Sequence, residues 1–184
     1  MEKIETKEIK QLSEKQKLLL YFFTYSFLGW ILETIYCILT LGVFNKRGFL
    51  YGPVCPIYGF GAVILIESLK KIKTNTLGKF LISMIAFTVF EYVVSVVLES
   101  LFGLRWWDYS GEPFNFQGRI SLAFSIAWGI IGVIFVEKIH PFINRQLEKY
   151  TIKISNKIQV IVLNIFLAII LVDFVMSIIK YTVA

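Results

Sequence analysis

Glu33, Glu91 and Asp173 each interrupt a long apolar run. A carboxylate in hydrocarbon costs several kcal/mol unless it is paired, hydrated or neutralised, so each of these acids asks for a partner. On the first run Ser26, Trp30, Glu33, Cys37 and Thr40 recur every three or four residues and form one polar stripe of a helix; on the third, Thr88, Glu91, Ser95 and Glu99 do the same. The two stripes are expected to face each other or a shared cavity. Two chemistries fit them. Glu33 and Glu91 could form buried ion pairs with Arg47, Arg105 or Arg119 and fix helix register. They could also line a polar chamber, opening outward, that takes a cation, a proton or an amine-bearing head group. Asp173 and Asn164 point to opposite faces of their helix, and Asp173 is expected to pair with Lys180 or a neighbouring helix.

Other chemistries lack their residues. The chain carries no GxxxxGK[ST], HExxH or GxSxG pattern. The single histidine, His140, is followed by Pro141, where capping or interface packing is the expected role. Cys37 and Cys55 have no metal-ligand spacing around them and read as reduced packing residues, so neither metal nor cofactor is expected.

The elements that must position these groups are membrane helices. Hydrophobic residues make up 57% of the chain, charged residues only 17%, and mean hydropathy is +0.70, more apolar surface than a soluble core of this size can hide. Runs near the length needed to cross a bilayer fall at about 18–44, 52–69, 80–102, 120–136 and 158–179. The fold class expected is therefore all-α, a polytopic membrane bundle of about five transmembrane helices over 18–180, preceded by a basic arm over 1–17. The second and fourth runs are short, so the second is expected either to begin within the head groups or to be partly re-entrant. No small-x-small cleavage site follows the first run, and a cleaved signal peptide is not expected.

Orientation follows from the cations. One side collects Lys3, Lys7, Lys10, Lys15, Lys17, Lys70, Lys71, Lys73, Lys79, Lys138, Arg145, Lys149, Lys153 and Lys157; the other holds Lys46, Arg47, Arg105, Arg119 and Lys180. Positive loops resist translocation, which puts the N-terminus in the cytosol and the C-terminus outside. The net charge of +6 is then accounted for by topology and anionic lipid, without nucleic acid. Within 139–157, Ile139, Phe142, Ile143, Leu147, Tyr150 and Ile154 recur near helical spacing, which reads as an amphipathic segment lying on the membrane or docking a cytosolic partner.

The interval from Glu33 to Arg47 equals that from Glu91 to Arg105, and in each half an aromatic, Gly- and Pro-bearing stretch follows the arginine. A weak parallel duplication is one explanation and coincidence the other. The run from Asn45 to Gly59, NKRGFLYGPVCPIYG, is dense in residues that restrict or free the backbone. The stretch from Arg105 to Arg119 holds Trp106, Trp107, Asp108, Tyr109, Glu112, Asn115, Phe116 and Gln117, and reads as interfacial anchoring or as a lid over a substrate.

Phe27-Leu28-Gly29-Trp30 through Glu33, the run from Arg47 to Gly59 with its GP-x-CP-x-YG signature including Tyr58, and then Trp106-Trp107-Asp108-Tyr109, Asn115-x-x-Gly118-Arg119-Ile120, Trp128-Gly129 and His140-Pro141 resemble the bacterial CmpB-like family of type IV ABC-transporter permeases, over roughly 20–143. The resemblance implies a multi-pass permease subunit in the cell membrane, in contact with the lipid bilayer. It moves a small solute or lipid-like molecule and borrows ATP hydrolysis from a cytosolic ATPase subunit. Docking surfaces would be 139–157 or the Lys70 to Lys79 loop, and so small a pathway implies a homo-oligomer. The candidate substrate-binding or chamber residues are Trp30, Glu33, Arg47, Tyr58, Glu91, Glu99, Trp107, Asp108, Asn115 and Arg119. The alternatives are a membrane enzyme acting on a lipid or lipid-linked substrate through Glu33 or Glu91, and a non-catalytic sensor or scaffold.

Overall fold

A computed structural model describes residues 12–42, 44, 48–70, 72–103 and 105–183. Helix α1 spans Glu14–Leu41, α2 Pro56–Lys70, α3 Thr76–Phe102, α4 Leu122–Ile134, α5 His140–Thr151 and α6 Asn156–Val183. Two short strands, β1 (Asn115–Phe116) and β2 (Ile120–Ser121), form an antiparallel hairpin just ahead of α4. The chain is thus an all-α bundle, as its composition requires. Four of its helical stretches are long and apolar enough to cross a bilayer. Helix α2 is the exception: its 15 residues rise about 22 Å, short of a hydrocarbon core of about 30 Å.

Local sequence sets the boundaries. Ser13 and Gln16 make a reciprocal capping box at the start of α1, and the Asn75 side chain accepts from the Gly78 amide at the start of α3. Both long helices stop on a glycine in the left-handed region, Gly42 (φ 69) and Gly103 (φ 66), whose amides bond back to Ile38 and Glu99. Helices α4 and α5 run on without a break through a π segment, Phe135–Ile139. Pro141 lies just beyond it. A proline ring collides with the carbonyl four residues earlier and offers no amide to it, and the wider π turn is where that misfit is absorbed. The amphipathic segment expected at 139–157 is therefore, over its first part, the continuation of the fourth helix.

The helices alternate in direction. The basic end gathers the start of α1, the turn between α2 and α3, and α5, tied by Lys70 to Glu14 (2.5 Å) and Lys79 to Glu137 (2.9 Å). The opposite end carries the two long connections, 42–55 and 103–121, and the end of α6. Helix α1 packs mainly on α2, and α3 on α4; α2 also touches α3, while α6 leans on α1.

The interior is small and polar, the exterior apolar. Ser26, Ser83, Ser121, Ser125 and Ser177 are buried, while Leu39, Leu101 and Val172 are largely exposed. This distribution suits a chain whose solvent is lipid, where helices gain by close backbone approach through small residues. A Cβ on Gly59 would sit 2.2 Å from the Ser26 hydroxyl, and one on Gly132 2.3 Å from that of Ser83. Each helix pair therefore closes on a serine–glycine contact.

Candidate functional site

The connection between α1 and α2 does not stay at the bundle's rim. The amide of Cys55 donates to the carbonyl of Ser26 (2.9 Å), which lies fifteen residues before the end of α1, about 22 Å down its axis. On the other side the amides of Tyr51 and Gly52 both donate to the carboxylate of Asp173 (2.7 Å each), ten residues or about 15 Å from the end of α6. Leu50, just before Tyr51, is fully buried. Glycines and prolines of this run forbid a helix, and the chain re-enters the bundle as irregular backbone. Such backbone survives at membrane depth only where protein groups or a water-filled cavity satisfy it. Asp173 supplies that satisfaction. It does not pair with Lys180 as the sequence suggested: the Lys180 ammonium rests over the rings of Tyr51 and Tyr181 (5.2 and 5.0 Å to the centroids).

Glu33 faces the foot of this loop. Its carboxylate accepts from the Tyr58 hydroxyl (2.5 Å), and Tyr58 is pressed against Gly29, where a Cβ would lie 2.3 Å from the ring. Trp30, one turn before Glu33, stacks on Phe27 instead. Arg47, the proposed partner of Glu33, lies outside the described residues.

The second connection also dips inward. Tyr109 donates to Glu91 (2.9 Å), which lies eleven residues, about 16 Å, before the end of α3. Trp128 on α4 donates to the other Glu91 oxygen (3.1 Å), so both oxygens of this buried acid are used. The arginines go elsewhere. Arg119 bonds Ser95 (3.0 Å) and pairs with Glu99, and Arg105 bonds Glu99 from the other side (3.2 Å). Neither intramembrane acid among the predicted pair is therefore held by a described arginine: aromatic hydroxyl and indole groups answer them, and Arg105 and Arg119 pair instead with Glu99, about two turns beyond Glu91 on α3.

The remaining predicted residues staple the second loop. Trp107 donates to the Arg119 carbonyl (2.9 Å). Asn115 donates to the carbonyl of Glu112 (2.8 Å) and accepts from the Gly118 amide (3.0 Å). Asp108 accepts from the hydroxyl and amide of Ser110, which with the Arg105 charge hold its carboxyl below the usual range. Three residues, 117–119, connect the paired Phe116 and Ile120, and the tight turn closed by the Arg119 amide on the Phe116 carbonyl (3.0 Å) places Gln117 (φ 56) and Gly118 (φ 66) in the left-handed region. Gln117 is fixed there by the Tyr92 hydroxyl (3.0 Å).

The expected meeting of the two polar stripes is not what the chain does. Helix α2 lies against both α1 and α3, and each acid is satisfied by groups of its own helix pair and loop. Three features were missed by sequence reading: Asp173 as the anchor of the first loop, Tyr109 as a partner of Glu91, and an aromatic cluster joining the two connections. In that cluster Phe49 packs against Phe102, Trp106, Phe174 and Tyr181 at 5.2–6.1 Å. At the basic end Tyr25 bonds His140 (2.8 Å) and Tyr21 bonds Asn144 (2.5 Å), so His140 does pack at a helix joint. Cys37 and Cys55 are buried, and no metal-holding group of side chains occurs among the described residues.

A family model described as "Putative ABC-transporter type IV" matches residues 20–178. Neither a curated protein nor a solved structure matches the chain.

Proposed function

Because the chain belongs to the family described as putative ABC-transporter type IV, we propose that it is the membrane-spanning permease subunit of a transporter, driven by a separate ATPase and moving a small solute or lipid-like molecule. The observation that carries this reading is irregular backbone taken about 22 Å into a helical bundle and held by side chains on two neighbouring helices. Interrupted helices of this kind build substrate sites in many transporters, because only there is non-helical backbone useful at membrane depth. Each inward loop has its own acid at its foot, Glu33 for the first and Glu91 for the second, and in this reading each is a separate polar station for the substrate. Lys and Arg crowd the basic end, which faces the cytosol by the positive-inside rule, so the C-terminus lies outside.

The chain hydrolyses no nucleotide itself in this reading. The ATPase docks on the basic end, where α5 exposes Arg145 and Lys149. One bundle of this size offers a narrow pathway, and a homo-oligomer completes it in the cell membrane. Affinity purification of the full chain from native membranes tests the proposal: an ATPase is expected to co-purify and to be lost when Arg145 and Lys149 are replaced by Glu. Recovery of no ATPase, together with substrate movement by the purified chain alone, would overturn it.

A further inference from the structure

Asn164 stands eight residues, about 12 Å, into α6, whose 28 residues rise about 42 Å and so outrun a hydrocarbon core of about 30 Å. Lys157, about two turns earlier, is the last cation before the hydrocarbon begins. At that depth the Asn164 side chain is exposed, and it makes no hydrogen bond among the described residues. A primary amide brings two donors and a carbonyl acceptor; lipid tails offer a partner to neither, and the side chain is too short to carry them back to the head groups. Its neighbours on the helix indicate what answers it. Ile161, Asn164, Ala168, Leu171 and Val175 follow one another at alternating steps of three and four, and all five are exposed. That spacing is the seam of two helices wound around each other. It lies roughly a third of a turn or more round α6 from Leu163 and Ser177, the buried residues that face the bundle, so the chain's own helices leave it open. Ala168, one turn beyond Asn164, is the small residue that lets two backbones approach closely there.

We infer that α6 is the interface of a parallel homodimer, in which the Asn164 amide of each copy donates an N–H to the Asn164 carbonyl oxygen of the other. Two copies inserted with the same topology run parallel, and a two-fold axis along the membrane normal sets each seam residue against itself. An amide is self-complementary across such an axis, because it carries donor and acceptor together; two carboxylates or two ammonium groups would repel. The polar group therefore selects a second copy of this chain, and it fixes the register in which the apolar seam residues meet. This interface supplies the contact for the homo-oligomer of the transporter reading, yet it rests on α6 alone and not on what the chain carries.

Cysteine scanning of the full chain in native membranes tests the seam, with the unsubstituted protein as the blank, since Cys37 and Cys55 are buried. On mild oxidation Ala168→Cys, Leu171→Cys and Val175→Cys are expected to give disulfide-linked dimers, whereas Val162→Cys and Ile169→Cys, exposed on other faces of α6, are not. Dimer affinity is then read by energy transfer between donor-labelled and acceptor-labelled copies diluted in lipid vesicles. Asn164→Ala weakens it about tenfold, and Asn164→Gln, which keeps the amide, retains it. Because Asn164 points away from the bundle, both variants keep the helical circular dichroism of the parent. Cross-links from Val162→Cys or Ile169→Cys in place of the seam, a monomer in native membranes, or undiminished dimer affinity in Asn164→Ala would overturn the assignment. Continued co-purification of an ATPase in any of those cases would leave the transporter reading intact.

Discussion

The two helix pairs solve one problem with different completeness. In α1–α2, Glu33 is half-buried and takes a single hydroxyl from Tyr58. In α3–α4, Glu91 is only 8% exposed and takes both a hydroxyl from Tyr109 and an indole N–H from Trp128. Both pairs close on a serine–glycine contact, and both are followed or joined by a loop that reaches inward. The second loop is stapled internally by a β-hairpin, by Asn115 and by Trp107 on the Arg119 carbonyl, whereas the first borrows its satisfaction from α6 through Asp173. The difference teaches that a buried acid does not need an arginine. A pair of neutral aromatic donors is enough for Glu91, whereas Glu33 stays half-buried with one.

That contrast can be broken in graded steps. Glu91→Ala strands two buried donors and is expected to destabilise the detergent-solubilised chain by about 3 kcal/mol, read as a large fall in Tm. Glu91→Gln keeps an acceptor and loses less. Next comes Gly59→Ala, where the new methyl meets both the Ser26 hydroxyl (2.2 Å) and the Phe22 carbonyl (2.6 Å); because backbone cannot step aside, a loss of about 2 kcal/mol is expected. Gly132→Ala meets the Ser83 Cβ (2.2 Å) as well as its hydroxyl (2.3 Å), and because a Cβ is fixed to its own backbone a similar loss of about 2 kcal/mol is expected. Glu33→Ala leaves one half-buried hydroxyl without an acceptor and lowers stability by about 1 kcal/mol in the same assay. The smallest effect concerns Asp108. Its carboxyl is held below the usual range by Ser110 and Arg105, so its contribution is full above the unfolded pKa of about 3.9 and fades as pH falls through the lower folded value. Protection of the Ser110 amide, taken relative to the intrinsic exchange rate at each pH, is expected to fall below about pH 4 and to be insensitive to pH in that range in Asp108→Asn.

Much of this was legible in the sequence. Long apolar runs with capped ends, Ser13 and Asn75 at the starts and Gly42 and Gly103 at the stops, announce α1 and α3, because a bilayer imposes a length and glycine tolerates the left-handed stop. The run from Gly48 to Gly59 reads as shaped backbone for the same local reasons. The partners of the acids were hidden because they depend on which helix lies beside which. Tyr109 and Trp128 stand eighteen and thirty-seven residues beyond Glu91, and only the inward dip of the loop and the α3–α4 contact bring them together. Asp173 was misread for a related reason: its partners are backbone amides, which carry no sequence signature. The continuity of α4 and α5 was hidden by Pro141, which ordinarily opens or breaks a helix and here is accommodated by the π segment before it.

A double-mutant cycle on Glu33→Gln and Glu91→Gln tests most directly whether each acid belongs to its own helix pair. Measured by thermal or denaturant unfolding in one detergent, the two losses are expected to add within about 0.5 kcal/mol, as for independent sites. A coupling energy above about 1 kcal/mol would mean that the two carboxylates share one chamber, and would contradict the separate networks described above.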